Sequence, residues 1–169
     1  MKWLIFVGLL AILSGCSGTA WETVDDIQPQ EPVEVWQREA YAITVSLPKD
    51  AVLLRQEAGY SCYCAAETGL EVTTQVFLAS DLDSALRQLT QLPADRLLVV
   101  QTTRFGLPEY QFAWYRPGEP GQMCRADLVM DGMTCYAVIC ATPETAGDAM
   151  GSAVREVIAT FGLYYDEQV

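Results

Sequence analysis

The sequence predicts an α+β domain in which an antiparallel β-sheet carries two helices. Three observations point there. Short segments that alternate apolar and polar residues recur along the chain, punctuated by turn signals such as Thr68-Gly69 and Asp131-Gly132. Two segments instead repeat apolar residues at three- and four-residue steps, the period of a helix with one buried face. The length of 169 residues, with 51% apolar composition and no internal repeat, suits one globular domain.

The elements follow in order. Residues 40–47 alternate Tyr41, Ile43, Val45 and Leu47 against Ala42, Thr44 and Ser46, and stop at Pro48: a half-buried strand. Residues 51–57 form a second short strand. Residues 60–66 and 70–78 flank Thr68-Gly69 and read as a hairpin. Ser80 and Asp83 resemble a capping box ahead of the stripe Leu82, Ala85, Leu86 and Leu89, so a helix is expected, ended by Pro93. Four strands follow, over residues 97–105, 109–116, 122–130 and 133–141. Turns are expected at residues 106–108 and 117–121, and a type I′ turn at Asp131-Gly132. The last element is a helix capped by Thr145, with Asp148 three residues on. Its stripe runs through Met150, Val154, Val157, Ile158 and Phe161 to a stop at Gly162. Gly147 and Gly151 lie beside that stripe and permit close packing.

The N-terminus carries an address. Lys2 is followed by an apolar run from Trp3 to Leu13, shorter than the roughly 20 residues a membrane span needs. Leu13-Ser14-Gly15-Cys16 resembles the bacterial lipobox: an aliphatic residue, two small residues and a cysteine. The resemblance implies that residues 1–15 are a lipoprotein signal peptide. It further implies that Cys16 receives a diacylglyceryl group on its thiol and becomes the mature N-terminus. Two or more buried acyl chains make a stable anchor, at about 0.8 kcal/mol per methylene. Residues 16–35 then form an acidic, extended tether, in which Trp21 either meets the membrane interface or docks on the domain. Residues 36–169 are the single α+β domain. The expected location is extracytoplasmic, lipid-anchored to a bacterial membrane.

The order of elements, with an opening strand that runs into Leu47-Pro48, resembles the Mog1/PsbP-like α/β/α sandwich, from about Trp36 to Tyr165. In that family an antiparallel sheet carries helices on its faces, and members mostly serve as binding, assembly or accessory modules. No catalytic or ligand motif of the family is present, so no functional residue is carried over.

Composition removes several functions. The formal net charge is −12, and there are only two lysines, Lys2 and Lys49, which speaks against nucleic-acid binding. With no histidine, His-based triads and imidazole zinc sites are excluded. No phosphate loop, EF-hand or nucleophile elbow occurs, and no cofactor or metal site is assigned. Asp81 and Asp83 fit a helix N-terminus better than a metal. Arg104 and Arg125 are candidate anion ligands, although arginines in an acidic chain more often pair with carboxylates. Tyr110, Phe112 and Trp114 alternate along one strand, as sheet core under a helix or as a binding platform.

Five cysteines remain besides Cys16, an odd number in a compartment that permits disulfides. In the Asp131-Gly132 hairpin, Cys124 would face Ile139 and Cys135 would face Leu128. That separation is too great for a bridge, so both are expected to be buried thiols. Cys140 points to the opposite face. By elimination, a bridge from Cys62 or Cys64 to Cys140 is expected. The Cys62-x-Cys64 pair also leaves open thiol exchange or a thiolate metal site.

Two functions therefore compete: a non-catalytic lipoprotein that binds an envelope or surface protein or helps assemble an envelope complex, and a thiol-dependent redox or metal-handling lipoprotein. A small solute-binding protein is disfavoured, since such proteins usually need two lobes and more chain. Because acylation requires its sulfur, Cys16→Ala should abolish labelling by a fatty-acid analogue and release the protein from membranes. Equal labelling of variant and wild type would refute the lipobox.

Overall fold

The computed structural model describes residues 41–165. The predicted signal peptide, Cys16 and the tether lie outside the described residues. Among the described residues, nine strands and two α-helices follow one another as β1 (Ala42–Thr44), β2 (Ala51–Glu57), β3 (Tyr60–Ala65), β4 (Glu71–Leu78), α1 (Leu82–Thr90), β5 (Val99–Arg104), β6 (Leu107–Tyr115), β7 (Gln122–Asp131), β8 (Thr134–Pro143), α2 (Asp148–Ala159) and β9 (Gly162–Tyr164). A short 3₁₀ turn, Ala94–Arg96, follows α1. Strands β2 to β8 form a seven-stranded sheet in the order β2-β3-β4-β8-β7-β6-β5, antiparallel throughout. This is the α+β class that the sequence predicts.

Each face of the sheet has its own core. On one, Ala85 and Leu86 of α1 pack on Phe112, Trp114, Ala126, Leu128, Cys135 and Ala137. On the other, Met150, Val154 and Val157 of α2, with Phe161 just beyond it, pack on Val72, Val129, Tyr136, Val138 and Cys140. Tyr41, Ile43, Val45 and Leu47 join this second core, so the predicted alternation holds although regular pairing spans only three residues. The partner of β1 is β9, a strand that the sequence reading missed; together they form a separate two-stranded sheet. Gly162 therefore opens a strand instead of merely ending a helix. A Cβ there would stand 2.6 Å from Thr44 Oγ1.

The helix caps differ from expectation. Asp81, not Ser80, caps α1: its carboxylate accepts the Ser84 N–H at 2.8 Å, and Ser84 Oγ accepts the Asp81 N–H at 3.2 Å. Asp81 and Asp83 thus serve the helix N-terminus, where negative charge is favoured. Helix α2 starts after Gly147 with no side-chain cap, because Thr145 sits in a turn closed by Ala146 N–H donating to Pro143 O.

Two hairpin turns also shift. β7 and β8 pair Asp131 with Thr134, so the loop is Gly132-Met133 and positive φ falls at Gly132 alone (61°), the type II′ pattern. The I′ pattern, with both central residues at positive φ, occurs instead at Phe105 (55°) and Gly106 (77°) between β5 and β6. An aromatic residue at positive φ is strained, typically by about 1–3 kcal/mol. Gly132→Val, with open space around the site but the wrong backbone preference, should destabilise the domain by about 1–3 kcal/mol. Phe105→Asn should raise the melting temperature, since Asn tolerates positive φ and Phe105 is exposed. Thermal denaturation of both variants checks this.

Candidate functional site

The cysteines are all free thiols among the described residues. Cys62 pairs in register with Thr73 and Cys64 with Glu71, so both share a face with Glu71, Thr73 and Gln75. That face, however, is the one covered by α1, as Thr73 lies beside Ile139 and Glu71 beside Ala141. Cys140 lies on the α2 face, beside Val72 and Arg125. The expected bridge from Cys62 or Cys64 to Cys140 is therefore ruled out, because the sheet itself separates the sulfurs. Cys140 is buried there, and burial pushes its thiol up to about 12.

Cys124 and Cys135 are buried thiols, as expected. Their partners are Ala141 and Met130, two residues from the predicted register, and this leaves them six positions apart, roughly 20 Å along the strands. Burial raises the Cys135 thiol to about 11 and also raises that of Cys124, against the opposing charge of Arg116. A thiol so raised is a poor nucleophile and a poor metal ligand. Among the described residues, no group of three or more Cys, Asp or Glu side chains is placed to hold a metal. Among the described residues, Cys62 and Cys64, half-buried on β3, are the only cysteines not fully buried.

Phe112 and Trp114 stack at 5.5 Å between ring centroids beneath α1, with Tyr110 packed beside them. The aromatic strand is thus sheet core and not an open platform.

The α2 face holds the unusual electrostatics. Arg104 on β5 donates to Glu109 on β6, to Asp127 on β7 (3.2 Å) and to the Phe161 carbonyl (2.8 Å), and lies over the Phe161 ring at 5.3 Å. Glu109 and Asp127 are both buried. Burial first, and then the neighbouring Glu109 carboxylate, push Asp127 up to about 7, with Arg104 opposing. Asp127 Oδ1 is buried and meets no donor. Sequence reasoning singled out Arg104 but missed Glu109 and Asp127. The one signal is local: Glu109 and Asp127 each stand inside a strand with apolar neighbours on both sides.

Beside this cluster the sheet is left partly uncovered. Helix α2 lies over β8, and between it and β5–β7 runs a hollow of about 450 Å³, lined by Leu98, Val100, Gln111, Arg125, Arg155 and Ile158 among others. A smaller hollow of about 170 Å³ adjoins it and shares Arg125, Val154 and Arg155. At the opposite end of the sheet, edge strand β2 exposes Val52 (58%), Leu53 (45%) and Leu54 (61%) in succession. Leu54 is the extra residue of a bulge between Leu53 and Arg55.

No family model and no curated protein matches the sequence. Among solved structures, the chain is similar to cyanobacterial PsbP (CyanoP) from Synechocystis sp. PCC 6803, with a TM-score of 0.52 at 9% identity, covering 81% of this chain and 100% of that one. The fold is PsbP-like. LpqN of Mycobacterium tuberculosis, a protein involved in cell envelope biogenesis, matches with a TM-score of 0.49 at 12% identity, over 77% of this chain and 88% of its own.

The buried acid makes a pH prediction. Unfolded, Asp127 would titrate near its ordinary value of 3.8; folded, it titrates near 7. Between those values the native state binds the extra proton, so this residue's contribution to stability is complete below about pH 4 and is lost as pH rises towards 7. Asp127→Asn should flatten the fall in melting temperature between about pH 4 and 7. Parallel slopes in variant and wild type would show that Asp127 is ionised throughout.

Proposed function

We propose that the protein is an extracytoplasmic, lipid-anchored accessory module that binds an envelope protein through the open edge of its sheet and does not act as an enzyme. The observation that carries this reading is the run Val52-Leu53-Leu54 on β2. Three consecutive large apolar side chains are exposed on a strand whose outer edge has no partner among the described residues. Such an edge offers unpaired N–H and C=O groups, and natural proteins usually blunt it with charge or proline. The occupant that fits is an extended segment that adds a strand, with backbone hydrogen bonds giving affinity and apolar side chains meeting Leu53 and Leu54. The lipobox-like Cys16 and the acidic tether support display of this edge away from a bilayer. The PsbP-like fold is compatible with the reading and adds no residue to it.

The thiol-dependent alternative rests on Cys62 and Cys64, which remain partly accessible on β3, next to the same edge. One experiment separates the two. A photo-crosslinking residue at Leu54, in the full chain expressed in its own membrane, should capture one discrete envelope protein. The same residue at Gln101 on the opposite edge should not. Val52→Lys with Leu54→Lys should abolish association, and Cys62→Ser with Cys64→Ser should leave it intact. Capture that depends on the cysteines would favour the thiol reading, and equal capture from both edges would refute a specific β2 surface.

A further inference from the structure

The larger hollow beside α2 runs against the charge of the rest of the molecule. The chain has 22 acidic and 10 basic side chains, yet among the described residues this hollow is lined by Arg104, Arg125 and Arg155 and by no carboxylate. Arg104 is neutralised from beneath by Glu109 and Asp127. The other two are not. Arg125 forms no ion pair among the described residues, and Arg155 donates to the uncharged Ser152 Oγ at 2.8 Å. In so acidic a protein, two guanidiniums converging on one hollow without carboxylate partners are not explained by folding. The wall towards β5 is apolar: Leu98 is 84% exposed and Val100 55%, and Ile158 faces them from α2. A volume of about 450 Å³ lies within the ordinary range of small-molecule sites.

We propose that this hollow binds a small anionic amphiphile, its carboxylate or phosphate head on Arg125 and Arg155 and its hydrocarbon body against Leu98, Val100 and Ile158. Guanidinium forks suit both head groups, which they contact with two parallel hydrogen bonds. The adjoining smaller hollow sets the direction. It presents Glu144 and Asp148, so an anion is repelled there and the hydrocarbon body runs towards β5. An acidic peptide fits less well, because it would lay repeated charges along the apolar wall. The inference stands apart from the strand-edge reading, since the two surfaces lie at opposite ends of the sheet.

The test uses the full chain carrying Cys16→Ala, so that no acyl group of its own competes. Calorimetric titration with decanoate or decyl phosphate, each below its micellar concentration, should show one site per chain. Decanol, acetate and inorganic phosphate should each bind at least about tenfold more weakly, since a charged hydrogen bond and the buried chain are each worth a factor of that order. Arg125→Gln and Arg155→Gln should each cost about tenfold in affinity. Amide-shift mapping on the chain with both arginines intact should place the decanoate response at Val100, Arg125, Arg155 and Ile158, so the proposal does not depend on either arginine variant folding. Decanol binding as tightly as decanoate, unchanged affinity in folded arginine variants, shifts confined to other residues, or binding of a hexaglutamate peptide in preference to decanoate would overturn it.

Discussion

Eight consecutive residues of β8, from Cys135 to Thr142, are buried, so the centre of the sheet must be covered on both faces. A strand has only two faces, and successive side chains alternate between them. Cys135, Ala137, Ile139 and Ala141 therefore need one cover, and Tyr136, Val138 and Cys140 another. The fold answers with α1 on the first face, and with α2 and the β1–β9 pair on the second. The crossing from β4 to β5 carries α1 over one face, and the chain returns through the β5–β8 meander. The start and end of the described chain then close the other face, where Tyr41 N–H donates to Tyr136 Oη at 3.1 Å and the two rings meet edge to face.

The two covers are chemically unequal. Beneath α1 the sheet is apolar as far as β6, through Phe112 and Trp114. On the α2 face the apolar surface ends at β7, where Asp127 and Glu109 are buried with Arg104. Burying one cation against two acids is costly, and one acid relieves the cost by holding its proton near neutrality. The cluster also fixes the approach of α2, because Arg104 donates to the carbonyl of Phe161 just beyond that helix. Polar specificity here stands where hydrophobic packing would otherwise leave the helix position loosely determined.

Most of the architecture was legible in the sequence because alternation and helical period report burial directly. Tyr41, Ile43, Val45 and Leu47 point inward as read, and the stripes of both helices meet the sheet as read. The Asp131-Gly132 signal places each β7 and β8 side chain on its correct face while missing the register by two residues. Parity survives such a step, which is why Cys124 and Cys135 were placed correctly. What failed was anything needing long-range order. β9 has three residues and no pattern until β1 is beside it. The placement of Cys140 required knowing that β4, not an edge, lies next to β8. Phe105 at positive φ defies the residue preferences on which turn reading relies. Candidate sites were the least legible part. Arg125 was noticed, but its lack of a carboxylate partner is a fact of three-dimensional placement.

The same central constraint limits where this protein can carry a binding surface. Strands buried on both faces expose neither side chains nor backbone, and β7 and β8 are largely committed in this way. The hairpin loops at Gly132-Met133 and Phe105-Gly106 are too short to build a pocket. Recognition is pushed outward, to the strands where helical cover runs out. At one side that is β2, whose outer edge and apolar residues are open. At the other it is β5 and β6, beside the flank of α2, where Arg125 and Arg155 form no ion pair among the described residues. A module built this way presents two surfaces of opposite character at the two ends of one sheet, one apolar and extended, the other concave and cationic. The doubly buried strands between them keep the two surfaces apart.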